Sequence, residues 1–344
     1  TGVCDDTGGD GHAMTRSWTP PIEVMVEPDT KPLTAVEGAL DDRFRVRRGG
    51  GPAGTDLGEA QVVFTTSRLQ LSAAELSSSR LRVVAKVGTG INNIDTAAAA
   101  AEGITVLYTP GMNAISVAEH AIALLLAVNR QVLRGAATLE AGGWRDALDT
   151  TYPVVGSTVG IIGFGSVGQR VARLLTGFNV RVLAYDPYVD PIATELVDAR
   201  LTSLEELLDD VDAVIVTAKL TDETRGMIDV AALERLRDDA VIVNTARGAI
   251  IDETALIEAL DSGQIRGAGL DVFATEPLPR DSPLLQMETV VATPHIAATS
   301  VTTRTAILEQ LAKQVTAVVE DQPVDPRYVA VAGERIQSEG EGSA

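Results

Sequence analysis

Three residues suited to acid–base and anion-binding chemistry each follow an apolar run typical of a buried strand. Arg247 follows residues 241–243, Glu276 comes after the run at 267–270, and His295 follows 290–292. A histidine exchanges a proton near neutral pH, an arginine fork suits a carboxylate, and a carboxylate can orient a neighbouring histidine ring. Because strand carboxyl ends face the ligand crevice of an open α/β sheet, we expect one site that binds an acid and moves a proton.

The other two histidines carry weaker signals. His12 lies in a polar stretch near the start of the sequence, and His120 lies in an apolar helical stretch where a packing role is favoured. His295 therefore is the candidate acid and base.

A glycine-rich run near the middle of the chain has the spacing of a dinucleotide-binding turn. Gly163, Gly165 and Gly168 follow an apolar strand, open a helix, and precede a second strand that ends in Asp186. The first glycine permits the tight turn, the second lets a pyrophosphate approach the backbone, and the third lets helix pack on strand. Asp186 suits the ribose hydroxyls and repels a 2'-phosphate, so the pattern predicts NAD rather than NADP.

Short apolar runs alternate with helix-forming stretches on both sides of this turn, which predicts two α/β units with parallel sheets. We expect the helix after Thr303, and the chain as far as Val331, to return to the first unit. In the first unit, the predicted strands are 22–26, 61–64, 83–87 and 104–107, and the predicted helices are 72–78 and 96–102. In the second unit, a helix at 165–176 accompanies strands at 159–162, 180–185, 213–216, 240–243, 267–270 and 290–292.

One long helix is predicted over residues 116–139, with Ser116 as its N-cap and Glu119 completing a capping box. Its apolar residues cover more than one face, so the helix must be buried on several sides. The sequence leaves two explanations open, a subunit interface and a helix buried within the chain.

Composition excludes some classes of partner. The 344 residues suffice for two domains, and the net charge of −20 argues against nucleic acid. The apolar run at 121–128 is too short for a membrane span, and the single cysteine, Cys4, leaves no internal disulfide or thiolate metal cluster, which fits a reducing cytoplasm. We expect residues 1–20 and 332–344 to be disordered tails.

The surplus of acidic residues also bears on the salt concentration at which the protein works. The 48 acidic residues accompany only four lysines, which predicts a protein adapted to high salt. A GC-rich genome would explain the scarcity of lysine but not the surplus of acids.

Several motifs in order over residues 60–330 resemble the D-isomer-specific 2-hydroxyacid dehydrogenase family. The resemblance implies two doubly wound parallel-sheet domains: a flavodoxin-like substrate domain of residues 21–110 and 300–331, and an inserted Rossmann NAD domain of residues 111–299. It also implies a homodimer through the helix after Ser116. The motifs are 88–95, 116–120, 160–168, 244–252, 269–277 and 293–296.

The same resemblance implies hydride transfer between the nicotinamide of NAD and C2 of a D-2-hydroxy acid or 2-oxo acid. Arg247 would bind the carboxylate and polarise the 2-oxo group, His295 would act as acid and base, and Glu276 would hydrogen-bond and tune it. Substrate contacts from the first domain would come from the loop at Lys86, Val87 and Gly88. Cofactor contacts would come from Thr89, Gly163, Gly165, Ser166, Val167, Gly168, Asp186, Ala218, Thr245, Ala246 and Asp271.

Three departures from the family pattern bear on substrate choice. Thr65 and Thr66 stand where phosphoglycerate-acting relatives carry an arginine, Lys219 replaces a usual proline, and alanines at 297–298 replace glycines that often follow the histidine. The alternative function is D-3-phosphoglycerate dehydrogenase, with phosphate ligands drawn from Arg134, Arg145 and Lys219. A formate dehydrogenase relative is disfavoured because those proteins pair the histidine with glutamine, and a non-catalytic NAD-sensing protein of the same fold is disfavoured by the acidic composition.

Overall fold

The computed structural model describes residues 17–49 and 56–333. The chain forms two compact units: unit 1 comprises the residues up to Thr109 and from Leu308 onward, and unit 2 is Pro110–Ile307. The sequence placed the return to the first unit at residue 300, whereas the structure places it inside the last long helix. The tails predicted at 1–20 and 332–344 lie largely outside the described residues, although Trp18 is placed under the guanidinium of Arg82, 3.5 Å from the ring centroid.

The chain passes from unit 1 to unit 2 and then returns once to unit 1. Unit 1 begins with β1 (Ile22–Val26), α1 (Leu33–Ala39), β2 (Phe44–Arg48), β3 (Val62–Thr65), α2 (Ala73–Ser78), β4 (Val83–Lys86), α3 (Thr96–Ala101) and β5 (Thr105–Leu107). Unit 2 follows with α4 (Ala114–Asn129), α5 (Val132–Glu140), β6 (Thr158–Ile162), α6 (Ser166–Leu175), β7 (Arg181–Tyr185), α7 (Pro191–Glu195), β8 (Ala199–Leu201), α8 (Leu204–Asp210), β9 (Ala213–Val216), α9 (Val230–Glu234), β10 (Val241–Asn244), α10 (Glu253–Asp261), β11 (Gly267–Leu270) and β12 (Val290–Ala292). The chain returns through α11 (Val301–Val319) to β13 (Val329–Val331).

Unit 1 is built on a six-stranded sheet in the order β13-β5-β4-β3-β1-β2. Its strands run parallel except β13, which pairs antiparallel with β5. The chain passes from β1 to β2 on one side and then crosses to β3 on the other side, so the strand order reverses between β1 and β3. The sequence did not predict β2, because Phe44 is its only buried residue and an edge strand of charged residues carries little apolar signal.

Unit 2 is built on a seven-stranded, wholly parallel sheet in the order β12-β11-β10-β9-β6-β7-β8. Its order reverses between β6 and β9, and its central strands are buried along their whole length, as expected for a sheet covered on both faces. The predicted fold class, two doubly wound parallel-sheet units, is confirmed. Strand β8 escaped prediction because only Ala199 in it is buried.

The single helix predicted at 116–139 is wrong. Helix α4 ends at Asn129, Gln131 adopts a left-handed conformation with φ 51°, and α5 continues at an angle of 56°. No glycine or proline lies at this break, so the sequence contains no helix-breaking residue that would predict it. Ser116 is not an N-cap either, since it lies buried inside α4 with its Oγ 2.8 Å from Ser300 Oγ and 2.7 Å from Thr303 Oγ1.

Helix α4 is buried against the sheet of its own unit. A Cβ added at Gly269 would lie 2.9 Å from Leu124 Cβ, and one at Gly267 would lie 2.9 Å from Val128 Cγ1, so both glycines let the helix approach the strand. This packing accounts for the apolar character of α4 within the chain. Among the described residues, no single helix is long and apolar enough to cross a membrane; α4 and α5 meet that length and composition only when joined across their bend.

Candidate active site

The glycine turn between β6 and α6 is shaped by close backbone approach. Gly163 has φ +89°, and a Cβ there would lie 2.4 Å from the backbone of Ala218, which follows β9. A Cβ on Gly168 would lie 2.3 Å from the carbonyl oxygen of Gly163. By contrast, a Cβ on Gly165 would meet nothing within 4 Å, so the space beside the start of α6 is open to a ligand. The backbone N–H groups of Ser166 and Val167 belong to the first turn of α6, where an anion finds donors.

Asp186 lies beside this turn. Its Oδ2 accepts the N–H of Phe164 at 2.8 Å and its Oδ1 accepts the N–H of Tyr188 at 2.9 Å, so the loops after β6 and β7 fix the carboxylate. Each oxygen keeps lone-pair capacity for a hydroxyl, as a ribose contact requires. The residues therefore fit a dinucleotide, with phosphates at the helix start and a ribose at Asp186. The sequence missed Thr217, whose Oγ1 donates to the carbonyl oxygen of Gly163 at 2.5 Å and holds the turn.

His295 and Glu276 form a direct pair. His295 Nδ1 lies 2.7 Å from Glu276 Oε2, and both side chains are about one-third exposed. The other carboxylate oxygen, Oε1, accepts the N–H of Phe273 at 3.1 Å, so Glu276 is held from two sides. Because the pair uses Nδ1, the ring presents Nε2 for other chemistry, and within the described ranges Nε2 has no hydrogen-bond partner.

The pKa of Glu276 lies below its ordinary value. Burial acts to raise it, but the hydrogen bond and charge of His295, the N–H of Phe273 and the charge of Arg247 together outweigh burial. Glu276 is therefore an ionised hydrogen-bond acceptor at neutral pH.

Arg247 is mostly buried at the end of β10. Burial lowers the pKa of its guanidinium and the nearby charge of Glu276 opposes this, but the group stays charged because arginine does not deprotonate in proteins. Its Nη1 donates to the carbonyl oxygen of Ala246 at 2.6 Å, and no carboxylate in the described part of the chain forms an ion pair with it. A largely buried cation without an ion pair costs free energy unless a bound anion neutralises it.

The loops that carry Arg247 and Glu276 pack directly on each other. A Cβ on Gly248 would lie 1.9 Å from the carbonyl carbon of Phe273, so this contact admits only glycine. Asn244 closes the first loop, since its Nδ2 donates to the carbonyl oxygen of Arg247 and its Oδ1 accepts the N–H of Ala246, each at 3.0 Å. Thr245, predicted as a cofactor contact, is buried, and its Oγ1 has no partner within residues 17–49 and 56–333.

Asp271 fixes the segment that carries His295. Its Oδ1 accepts Thr293 Oγ1 at 2.7 Å and the N–H of Ile296 at 2.8 Å, and its Oδ2 accepts the N–H of Ala297 at 2.9 Å. His295 sits between these anchors with φ 54°, a left-handed conformation that the anchors must hold. The predicted contact of Asp271 with the nicotinamide stays a prediction.

Two further residues complete this network. His120 on α4 places Nε2 2.9 Å from Thr293 Oγ1 and 3.4 Å from Asp271 Oδ1, which agrees with the packing role expected for it. Thr293 was not among the predicted site residues, because a threonine two positions before a histidine has no distinctive spacing.

In unit 1, the main chain of the loop after β4 is hydrogen-bonded within the unit. The N–H of Val87 donates to the carbonyl oxygen of Thr65 at 2.8 Å, and the N–H of Gly88 donates to Thr109 Oγ1 at 3.2 Å. The amides of these two residues, predicted to hold a carboxylate, are thus bonded within unit 1. Lys86, also predicted there, is buried, and the Oγ1 of Thr89 donates to the carbonyl oxygen of Thr109 at 3.4 Å.

The sheet order and the glycine turn of unit 2 define a dinucleotide-binding protein. The family model described as "D-isomer specific 2-hydroxyacid dehydrogenase, NAD binding domain" matches residues 122–297. The chain belongs to the D-isomer specific 2-hydroxyacid dehydrogenase family, and the cofactor of the matched domain is NAD.

Relatives with different names match this chain. A glyoxylate reductase of Korarchaeum cryptofilum is 40% identical over 263 residues, which is 75% of this chain and 79% of the relative. A D-3-phosphoglycerate dehydrogenase of Mycobacterium leprae is 42% identical over 267 residues, or 76% of this chain, but this chain spans only 50% of that relative. Among solved structures, the TT0316 protein of Thermus thermophilus has a TM-score of 0.81 at 33% identity and covers 90% of this chain and 100% of its own.

Because Asp271 is a buried carboxylate, we expect the effect of replacing it on the free energy of unfolding to depend on pH. Burial acts to raise the pKa of Asp271, but the hydrogen bonds from His120, Thr293 and the backbone outweigh burial. The pKa of Asp271 therefore lies below its ordinary value of 3.8. A group with a lowered folded pKa contributes stability above its unfolded pKa and loses it as pH falls through the folded value. Asp271→Asn should therefore reduce the free energy of unfolding by roughly 1–3 kcal/mol at neutral pH, and less in acid.

Urea unfolding of both proteins, from neutral pH to below about 3.8, measures this gap. Asp190→Asn, at an exposed helix cap of the same unit, is the matched control, since asparagine also caps well. A gap that widens as the pH falls would contradict the assigned hydrogen bonds.

Proposed function

We propose that this protein catalyses NAD-dependent hydride transfer at C2 of a D-2-hydroxy acid or the corresponding 2-oxo acid. One observation carries the proposal: the His295–Glu276 pair, with Nδ1 and Oε2 2.7 Å apart, shares an edge of the sheet with a buried arginine that has no ion pair among the described residues. A proton donor beside a largely buried cation that has no direct ion pair suits an anion that carries a carbonyl group.

Each residue has one task in this scheme. Arg247 binds the carboxylate and polarises the 2-oxo oxygen through its planar fork. His295 donates the proton from Nε2 to that oxygen during reduction and accepts it during oxidation, while Glu276 holds Nδ1 and stabilises the charged ring. When bound, NAD supplies or accepts the hydride.

The cofactor contacts proposed are the residues around the glycine turn and the following strand ends. Gly163, Gly165 and Gly168 shape the turn, and Asp186 would accept hydrogen bonds from the ribose. The remaining proposed contacts are Thr89, Ser166, Val167, Ala218, Thr245, Ala246 and Asp271. In unit 1 the proposed substrate contacts are Lys86, Val87 and Gly88. The N–H groups of Val87 and Gly88 already have partners within the unit, so a substrate carboxylate would have to compete with those hydrogen bonds.

A second candidate is D-3-phosphoglycerate dehydrogenase, which the 42% identity to the Mycobacterium leprae relative supports. One of the expected phosphate ligands supports it less. Arg134 already pairs with Asp149 at 2.6 Å and Glu288 at 3.0 Å, so its charge is largely compensated. Glu276, paired with His295, also disfavours the formate dehydrogenase alternative. Measured turnover would exclude the NAD-sensing alternative.

We further propose that the protein forms a homodimer through α5 rather than through α4. None of the side chains of α5 is buried, and Val132, Leu133 and Leu139 are each more than half exposed. Trp144 and Val155, which follow in the chain, are also exposed. An apolar group of this size on one stretch of chain is typical of an interaction surface.

The acidic composition supports function at high salt, and we place the protein in the cytoplasm as part of the same proposal. Surplus negative charges repel less when salt screens them. We therefore expect activity to rise with KCl concentration, which a KCl series in the kinetic measurements checks.

His295→Asn tests the proton-transfer role. Asparagine tolerates the left-handed conformation at this position, so the backbone should persist while the ring is lost. We expect kcat for 2-oxo acid reduction to fall by roughly 10²–10⁴-fold, with NADH affinity little changed. Steady-state kinetics with glyoxylate and hydroxypyruvate, together with NADH titration by fluorescence, separate the two effects. A parallel loss of NADH affinity would count against the assigned role, and absence of turnover in the wild type with every 2-oxo acid would refute the enzyme proposal.

Asp186→Ala tests the cofactor preference. Removing the carboxylate removes its repulsion of a 2'-phosphate, so the ratio of NADH to NADPH affinity should fall by about tenfold or more, a change of roughly 1.4 kcal/mol. Asp190→Ala removes the same charge four residues along the chain and is the control. An unchanged ratio in Asp186→Ala would mean that Asp186 does not face the ribose.

Leu133→Asp tests the homodimer. A charge in the middle of the apolar surface of α5 should convert the dimer into a monomer, because an unpaired charge is costly at a desolvated interface. Light scattering after size-exclusion chromatography measures the mass. Leu196→Asp, on a side chain 81% exposed elsewhere in unit 2, is the control. A wild type with the mass of one chain would exclude the proposal.

A further inference from the structure

A network of hydrogen bonds joins helix α4 to the segment that carries His295. His120 lies on α4, and its side chain is 19% exposed. Its Nε2 lies 2.9 Å from Thr293 Oγ1, and Thr293 Oγ1 lies 2.7 Å from Asp271 Oδ1. Two hydrogen bonds therefore link an α4 side chain to a buried carboxylate of the candidate site.

The direction of both hydrogen bonds follows from the number of donors. Burial acts to raise the pKa of Asp271, but the hydrogen bonds that it accepts, of which that of His120 has the largest effect, outweigh burial. The carboxylate is therefore ionised at neutral pH and only accepts, so its 2.7 Å contact uses the single hydroxyl hydrogen of Thr293. Thr293 Oγ1 can then only accept from His120, which must carry a hydrogen on Nε2.

The carboxylate at the end of this network holds the main chain around His295. Asp271 Oδ1 also accepts the N–H of Ile296 at 2.8 Å, and Oδ2 accepts the N–H of Ala297 at 2.9 Å. The N–H of His295 donates to the carbonyl oxygens of Asp271 at 2.9 Å and Thr293 at 3.0 Å. With φ 54°, His295 keeps a left-handed backbone only while such contacts hold it. A shift of the carboxylate would therefore move the His295 ring.

His120 decides where the Thr293 hydroxyl points. Thr293 Oγ1 also lies 3.5 Å from the carbonyl oxygen of Leu270, which is a competing acceptor. A donor from His120 occupies a lone pair of Thr293 Oγ1 and so directs the hydroxyl hydrogen to Asp271. The donor has a rigid base, because α4 packs at Leu124 on Gly269 of β11, the strand that Asp271 directly follows.

We infer that His120 is a positioning residue for proton transfer by His295. It donates from Nε2 to Thr293, Thr293 donates to Asp271, and Asp271 keeps the His295 ring in line with the substrate oxygen. The inference rests on the proposed function and adds to it a residue that acts only through Thr293 and Asp271.

Two substitutions of His120 separate positioning from packing. Leucine fills much of the same space without a donor, whereas glutamine carries an N–H group as many bonds from Cα as Nε2. We expect kcat for 2-oxo acid reduction to fall by about tenfold or more in His120→Leu, with KM little changed, because Arg247 binds the carboxylate. His120→Gln should retain most of the wild-type kcat. An equal loss of kcat in both variants, or a loss in neither, would overturn the inference.

Thr293→Val breaks the network at its middle residue. It should lower kcat as His120→Leu does, and the double variant should be no slower than either single variant, because residues that act as a unit are not additive. Losses that multiply in the double variant would contradict the network.

Asn129→Leu is the matched control on the same helix. Asn129 is buried at the end of α4, where its Oδ1 accepts Arg266 Nη2 at 2.5 Å, just before β11 begins. The variant removes a hydrogen bond between α4 and the opposite end of β11, so it should lower the midpoint of thermal unfolding but leave kcat near the wild-type value. A loss of kcat as large as that in His120→Leu would overturn the inference, because any disturbance of α4 would then suffice.

The ring hydrogen of His120 can be observed without turnover. The chain contains three histidines, so an NMR spectrum of protein labelled with ¹⁵N-histidine contains few ring signals, and His120→Gln assigns those of His120. We expect the neutral His120 ring to carry its hydrogen on Nε2, and a hydrogen on Nδ1 instead would overturn the inference. Absence of turnover by the wild type with every 2-oxo acid would refute the proposed function and leave the NMR result unchanged, so the two failures are distinguishable.

Discussion

The end of unit 2 that carries the candidate site depends on the buried carboxylate of Asp271. It lies at the end of β11 and collects donors from Thr293, Ile296 and Ala297, with His120 of α4 close by. A buried carboxylate is tolerated only when its lone pairs are satisfied, so the segment after β12 must fold back onto it. That fold gives His295 its left-handed backbone and brings Nδ1 to Glu276. The His295–Glu276 hydrogen bond is thus a consequence of satisfying a carboxylate that is itself remote from solvent.

Glycines provide the second constraint. At Gly248 and Gly163 the backbones of neighbouring loops approach so closely that a Cβ would overlap a main-chain atom. The first contact sets Arg247 beside Glu276, and the second sets the dinucleotide turn against Ala218. Neither glycine is needed only for flexibility, because each occupies a position where a larger residue has no room. Loops at separate strand ends therefore form one rigid edge.

The sequence predicted the parts of the fold that are buried along their length and missed those that are not. Strands such as β6 and β10 are continuous apolar runs, whereas β2 and β8 each bury one residue and leave no periodic signal. The break between α4 and α5 rests on the left-handed conformation of Gln131, which could not be predicted from its residue type.

The candidate site shows the same division between predictable and unpredictable residues. Arg247, Glu276 and His295 could be predicted because charged residues after apolar strands are conspicuous. Thr293, Thr217 and Asn244 could not, because their work is to hydrogen-bond main-chain or buried groups. The substrate role of Val87 and Gly88 stays a prediction, and sequence could not tell that their N–H groups are hydrogen-bonded within unit 1.

The two sheets follow one topological rule but present different groups at their switch points. At the switch point of unit 2, the start of α6 offers backbone N–H groups, which attract the phosphates of a dinucleotide. At the switch point of unit 1, between β1 and β3, the carboxylate of Glu27 accepts hydrogen bonds from the hydroxyls of Thr65 and Thr66 and from the N–H of Thr66, so these polar groups are joined to one another. The groups that follow the strands, and not the strand order alone, therefore decide what each switch point can bind.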